Sequence, residues 1–346
     1  MEIVARSAST DIKQIRPGSK RSRIALKILF PLVSLLLVAV VCEGVCRIVL
    51  PIKGRNPIVI TDAHAGWAGR PNLKSVTKAD ELGQFTISAD GQGFRLAYPR
   101  GQSPPTAAPV VLLVGDSFAQ GVAVNDDQTF AWFLARQTPY YIVNLGVGGY
   151  GTDQELVQLE EFLKAKPDLE VRHIILFVCE NDFFDVQRDY HPAIARSKPM
   201  FHVSGTELVR GNFQPTRSDW LMDFSRFFWY VNNAYSIAHS KRYPPVEPGI
   251  ELVAACLREM QHLAVARGAQ LHILIHHPLK GKPLFDIKGL KHFTEQTGAI
   301  DITQRILDCA GPVPVAYDNA HWNAAAHRCV ATLIETDILK VAAPGP

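Results

Sequence analysis

The sequence predicts an α/β protein built on a five-stranded parallel sheet with helices on both faces, in three layers, doubly wound. Three observations point there. Five short apolar runs, at residues 109–114, 141–145, 173–178, 270–275 and 313–317, are separated by stretches of helical periodicity. The first run, PVVLLV, is apolar without alternation, as a strand covered on both faces must be. Each run is followed by glycine or polar residues, which gathers them along the carboxyl edge of the sheet, where such folds bind ligands.

The chain begins with a basic stretch. Arg6, Lys13, Arg16, Lys20, Arg21, Arg23 and Lys27 stand against Glu2 and Asp11. Residues 28–42 are apolar except for Pro31 and Ser34, and with residues 24–26 they approach the length of a membrane-spanning helix, Lys27 being long enough to snorkel. Glu43 and Arg47, at i and i+4, continue the helix beyond it. Residues 1–23 therefore read as a cytoplasmic tail and 24–48 as a transmembrane anchor, with the rest exported by the positive-inside rule. A cleaved signal peptide is the competing reading. No small-x-small cleavage site follows Ala39, and no lipoprotein-type approach precedes Cys42 or Cys46.

Residues 51–108 are rich in Gly, Pro and Asn and read as an irregular, partly β entry segment, with weak alternation at 84–88 and a turn at Asp90-Gly91. Residues 102–109, QSPPTAAP, read as a linker. From residue 109 to 342 the α/β pattern runs through helices at 129–136, 153–166, 250–267, 288–296, 303–309 and 323–340. Residues 183–248 interrupt it as a lid-like insertion, with a hairpin near 200–209 and aromatics between Trp220 and Tyr235.

A net charge of +3 and no basic block interleaved with aromatics exclude a nucleic-acid partner. Among the six cysteines no CxxC pair occurs, which argues against zinc and thioredoxin-like chemistry. Cys309 and Cys329 either pair, if the domain is exported, or stay as buried thiols; spacing does not decide between the two. His276 and His277, adjacent on a strand, point to opposite faces and do not share a metal ion. His327 reads as structural.

The chemistry lies at the strand ends. A hydroxyl needs a base before it attacks. Ser117 follows the first strand, and His321 is the natural base. Asp318, three residues earlier, can orient the imidazole. For the developing oxyanion, the amide of Ser117, the amide of Gly149 and the side chain of Asn181 are candidate donors, with Gly146 and Gly148 as rivals to Gly149. Asp116 and Asp182 read as braces. Each residue also has a plainer reading: Ser117 as a helix cap, Asp318 and Gly149 as turn residues.

These blocks resemble the SGNH/GDSL hydrolase family. GDSFAQG resembles its first block, with Ser117 as nucleophile; NLGVGG its second, with Gly149; CEND its third, with Asn181; and DNAH its last, with Asp318 and His321. The resemblance covers roughly residues 109 to 342 and implies a flavodoxin-like sheet and acyl-serine chemistry without a cofactor. Cys179 stands where the third block usually has glycine, and Phe118 where the first has leucine. The entry motifs GWAGRPN and GFR look like those of membrane-anchored bacterial members; no role is assigned to them. The expected activity is hydrolysis of an O-acyl or acetyl ester on a small molecule, glycan or lipid of the cell envelope. Two alternatives are an O-acyltransferase acting on an envelope polysaccharide and an inactive anchored binding or scaffold protein.

Overall fold

The computed structural model describes residues 20–49, 58–78, 84–102, 105, 107–239, 244–279, 287–311, 313–316, 318 and 320–341. The basic tail up to residue 19 and part of the linker lie outside the described residues. The chain divides into two compact units, Met1–Pro51 and Ile52–Pro346. The first holds one helix, Lys20–Val49. Its stretch Lys27–Val49, 23 residues with a mean hydropathy of 2.5, is long and apolar enough to cross a bilayer. The apolar residues surround the axis rather than forming one stripe, a pattern common to membrane spans, signal sequences and buried helices.

The second unit is built on a parallel sheet of five strands: Val110–Val114, Tyr141–Asn144, Val171–Cys179, Gln270–His276 and Ile300–Asp301. Numbered in chain order they lie 2-1-3-4-5. That is the flavodoxin-like order, and its direction of winding reverses between the first and third strands. Alternation along the strands fills both faces. Val110, Leu112, Val114, Ile174 and Leu176 enter one core beneath the helices Thr152–Ala165 and Val246–Ala266. Val111, Leu113, Ile175 and Phe177 enter the other, beneath Phe130–Gln137 and Ala324–Leu333. All five residues of the first strand are buried, as its unbroken apolar run requires.

The fifth strand corrects the sequence reading. Residues 313–316, the described part of the expected strand at 313–317, join no sheet; the edge position belongs to Ile300–Asp301, paired with Leu274 and Ile275. The apolar composition misled. Pro312 and Pro314 carry no amide hydrogen, so this run cannot donate a regular ladder. Instead Val315 bridges Trp322, with Ala316 donating to the His321 carbonyl at 2.7 Å, which closes a small loop. The final helix also stops short of the expected residue 340: Ala324–Leu333 passes into a π-helical turn at Ile334–Ile338.

Cys309 and Cys329 are disulfide-bonded, with Cα atoms 5.9 Å apart and 20 residues of sequence separation. The bridge closes a loop containing Asp318 and His321. Closure of a loop of this length is worth about 3 kcal/mol on the chain-entropy estimate. Reduction, or a Cys309→Ser/Cys329→Ser double variant, is therefore expected to lower the denaturant midpoint measurably; an unchanged midpoint would show that the bridge is thermodynamically idle.

The entry segment forms two antiparallel hairpins, Val59–Asp62 with Gly66–Gly69 and Lys74–Lys78 with Gln84–Ser88. The insertion supplies another, Phe201–Ser204 with Glu207–Arg210, and two helices, Arg217–Phe224 and Arg226–His239. It is pinned to the domain by Lys198, whose buried ammonium donates to Asp153 at 2.5 Å and to the Asp185 carbonyl at 2.8 Å. Burial pushes the Asp153 carboxyl up to about 6, with Lys198 pulling it back down.

Candidate active site

The site begins where the first strand ends. Gly115 lets the chain turn there: a Cβ on it would lie 2.7 Å from that of Ala119. Asp116 then caps the short helix Ser117–Gln120, its Oδ1 accepting the Phe118 amide at 2.8 Å. The capping residue is thus Asp116 rather than Ser117, so the serine hydroxyl is left for another partner. That partner is His321, whose Nε2 lies 2.8 Å from Ser117 Oγ across 204 residues of sequence. On the far side of the ring, Nδ1 lies 2.5 Å from Asp318 Oδ2, while Asp318 Oδ1 accepts the amides of Ala320 and His321, each at 3.0 Å. Partial burial works against ionisation of Asp318, but the bonds and charge of His321 and these two amides outweigh it and hold the carboxyl down at about 2. The structure therefore brings Ser117, His321 and Asp318 into one chain of hydrogen bonds.

The glycine loop after the second strand separates the three candidate amides. The Gly146 amide donates to Asn144 Oδ1 at 2.9 Å and the Gly148 amide to Gln120 Oε1 at 3.1 Å. The amides of Gly149 and Ser117 have no hydrogen-bond partner among the described residues. Gly149 adopts φ +81°, and a Cβ there would sit 2.7 Å from Ile194 Cγ1. Both the backbone and the space forbid a side chain. If the Gly149 amide serves a developing oxyanion, Gly149→Ala is expected to lower the kcat of the resulting reaction by about 100-fold through displacement of that amide; a kcat within threefold of wild type would remove the residue from the site.

Asn181, at the end of the third strand, reaches the site less directly than expected. Its Nδ2 donates to Asp185 Oδ2 at 3.1 Å and, over a long 3.4 Å, to Asp116 Oδ2. Asp116 is thus the brace the sequence suggested, joining the nucleophile turn to the third-strand loop. Burial raises its carboxyl to about 6, with the Phe118 amide, His321 and Asn181 opposing the shift. Asp182 braces the same loop by accepting the Cys179 amide at 3.0 Å. The thiol of Cys179, the departure from the family's third block, is itself buried.

The two adjacent histidines face different surroundings, as their alternation requires. His276 is fully buried against Phe118 and Trp322, with ring centroids at 4.3 and 4.7 Å. Burial depresses its pKa to about 3, which keeps it neutral beside His321. His327 stacks on Phe130 and accepts that residue's amide at 3.3 Å, a structural post as expected.

His277 sits between two carboxylates. Its Nδ1 pairs with Glu180 and its Nε2 lies 3.5 Å from Asp301 Oδ2, which ties together the ends of the third, fourth and fifth strands. Burial opposes its charge, but the bonds to Asp301 and Glu180 prevail and lift its pKa to about 9. A histidine with a raised folded pKa stabilises fully below its unfolded value near 6.5, and that contribution fades as pH rises through about 9. The thermal midpoint of the wild type is thus expected to fall between pH 7 and 9.5 by more than that of His277→Gln; parallel profiles would discount the clamp.

Sequence reasoning missed Trp67, Arg95, Gln120 and Ile194. The motifs GWAG and GFR were visible, but nothing in their spacing says which loop they touch. Gln120 lies inside the first block with no polar signature of its own. Ile194 belongs to an insertion whose path is not readable from periodicity.

No known family model matches the sequence, and no curated protein matches it. Among solved structures the chain is similar to a member of the lipolytic protein G-D-S-L family from Veillonella parvula DSM 2008, at 13% identity, covering 68% of this chain and 100% of that one, with a TM-score of 0.41. It is similar to an alpha/beta hydrolase enzyme from the metagenome of Lake Arreo, Spain, at 13% identity, over 68% and 97% of the two chains, with a TM-score of 0.39. A mutant of the esterase AlinE4 matches at 16% identity over 69% and 98%, with a TM-score of 0.30.

Proposed function

We propose that this chain is a serine ester hydrolase tethered to a membrane by its N-terminal helix. The carrying observation is the bonded series Ser117–His321–Asp318, set beside the unpartnered amides of Ser117 and Gly149. In the proposed reaction His321 Nε2 takes the hydroxyl proton as Ser117 Oγ attacks an ester carbonyl. Asp318 holds the ring in the tautomer that leaves Nε2 free to accept. The two amides receive the oxyanion, and Asn181 adds a third donor by giving up its long contact to Asp116. His321 returns the proton to the departing alcohol, and water then releases the acid by the same path in reverse. Every proton is handled by side chains of the protein, so the scheme calls on no cofactor.

The proposed substrate is an ester of the cell envelope. The apolar helix supports a tether with the N-terminus in the cytoplasm, and the Cys309–Cys329 disulfide suits an oxidising compartment outside it. The substrate class is an O-acyl or acetyl ester carried by a small molecule, glycan or lipid.

The test is fluorophosphonate labelling of the full chain in detergent, followed by product analysis with p-nitrophenyl acetate in the presence and absence of a sugar acceptor. Labelling at Ser117 and release of free acetate in both conditions are expected. Acetylated sugar as the main product would make the protein a transferase, and no labelling of the folded chain would leave it a binding protein.

A further inference from the structure

The two entry motifs find their role at the site. Trp67, in the hairpin of the entry segment, is fully buried. Its indole Nε1 donates to the Gly148 carbonyl at 3.1 Å, and its own carbonyl accepts Tyr150 Oη at 2.5 Å. The Trp67 and Tyr150 rings meet edge to face at 5.6 Å. The residues on either side of Gly149 are therefore both tied to one residue from a distant part of the sequence, Gly148 through the indole and Tyr150 through the Trp67 main-chain carbonyl. The indole also packs at 5.7 Å on His191, whose Cε1 lies close to where a Gly149 Cβ would be. At the end of the hairpin turn, the Ala65 carbonyl accepts Gln154 Nε2 at 2.6 Å, which fixes the hairpin to the helix that follows the glycine loop. The GFR motif serves the other half of the site. The buried Arg95 guanidinium donates to the carbonyls of Gln120, Gly121 and Val124, just behind the nucleophile helix.

We infer that Trp67 is a positioning residue: it holds the Gly148–Tyr150 turn so that the Gly149 amide faces the reacting carbonyl oxygen. The inference rests on the proposed ester-hydrolase reading of the site and names what keeps its oxyanion donor in place. A flexible glycine turn samples many orientations, and an amide displaced by 1 Å loses much of its effect on a transition state. The indole N–H and the Tyr150 hydroxyl remove that freedom on both sides of the donor.

The experiment uses the full chain in detergent, with p-nitrophenyl acetate as substrate and phenylboronic acid as a tetrahedral mimic. Trp67→Phe keeps a buried ring and deletes the N–H; Tyr150→Phe deletes the hydroxyl on the other side. Ile87→Val, a buried change in the neighbouring hairpin away from the glycine loop, controls for loosened packing. Trp67→Phe and Tyr150→Phe are each expected to lower kcat about 10-fold with KM within twofold, to weaken boronate binding by a similar factor, and to leave fluorophosphonate labelling confined to Ser117. Ile87→Val is expected to lower the thermal midpoint and leave kcat unchanged. If the wild type labels at Ser117 but Trp67→Phe changes kcat no more than Ile87→Val, or changes KM alone, the positioning role is wrong while the hydrolase reading stands. If the wild type neither labels nor turns over ester, the reading itself fails and the inference falls with it.

Discussion

Ser117→Ala is expected to lower kcat for ester hydrolysis by about 10⁴- to 10⁶-fold and to abolish fluorophosphonate labelling, with the thermal midpoint unchanged. The size follows from the geometry. In the proposed reaction the hydroxyl is the atom that bonds to the acyl group, and its one hydrogen bond among the described residues runs to His321 Nε2 at 2.8 Å. No other hydroxyl or thiol is positioned against that nitrogen among the described residues, so no side chain stands ready to substitute. The unchanged midpoint follows because Asp116, not Ser117, caps the helix. Stopped-flow and thermal melts on the same preparation check both halves. Residual turnover within 100-fold of wild type would place the nucleophile elsewhere.

Asp318→Asn is the second large effect, a loss of about 10³- to 10⁴-fold in kcat with little change in fold. The direction comes from the two backbone amides that donate to Asp318 Oδ1. In the variant, the amide oxygen takes those bonds and the new NH₂ faces His321 Nδ1. The ring is then driven to carry its proton on Nε2, the nitrogen that must accept from Ser117, so the base is blocked although the geometry is retained. Fluorophosphonate labelling is expected to slow in parallel. The carboxyl of Asp318, held at about 2, keeps its charge across the neutral range. Since its folded pKa lies below the usual carboxylate value, its stabilising contribution is present above about pH 4 and is lost only as pH falls toward 2. A normal kcat in Asp318→Asn would demote the residue to a turn former.

Much of this was legible in the sequence. Unbroken apolar runs such as VVLLV and IILFV identified buried parallel strands because a strand covered on both faces has no position for a polar side chain. The spacing of Asp318 and His321 within one loop predicted their contact, since three residues in a turn bring the side chains together. The failure at residues 313–317 is instructive for the same reason: apolar composition was legible, but the ladder depends on amide hydrogens that Pro312 and Pro314 lack. The resemblance named Gly149, with Gly146 and Gly148 as rivals, but which of the three amides stays open was beyond the sequence. The three glycines differ only in whether Asn144 or Gln120 claims their amides, which is a fact of three-dimensional placement.

The sequence by itself determined the layered α/β fold, an apolar N-terminal helix of bilayer length, and the choice of Ser117, Asp318 and His321 as candidates, which the fold brings into hydrogen-bond contact. These depend on composition, period and local spacing, which are properties of the chain read along its length. Only the tertiary structure decided the strand at the edge of the sheet, the pairing of Cys309 with Cys329, the amides of Ser117 and Gly149 left open, the contacts of Asn181 with Asp185 and, over a longer distance, Asp116, and the contact of the entry segment's Trp67 with Gly148. Each of these depends on which distant atoms reach hydrogen-bond distance once two faces of a sheet are packed, and linear periodicity carries no information about that.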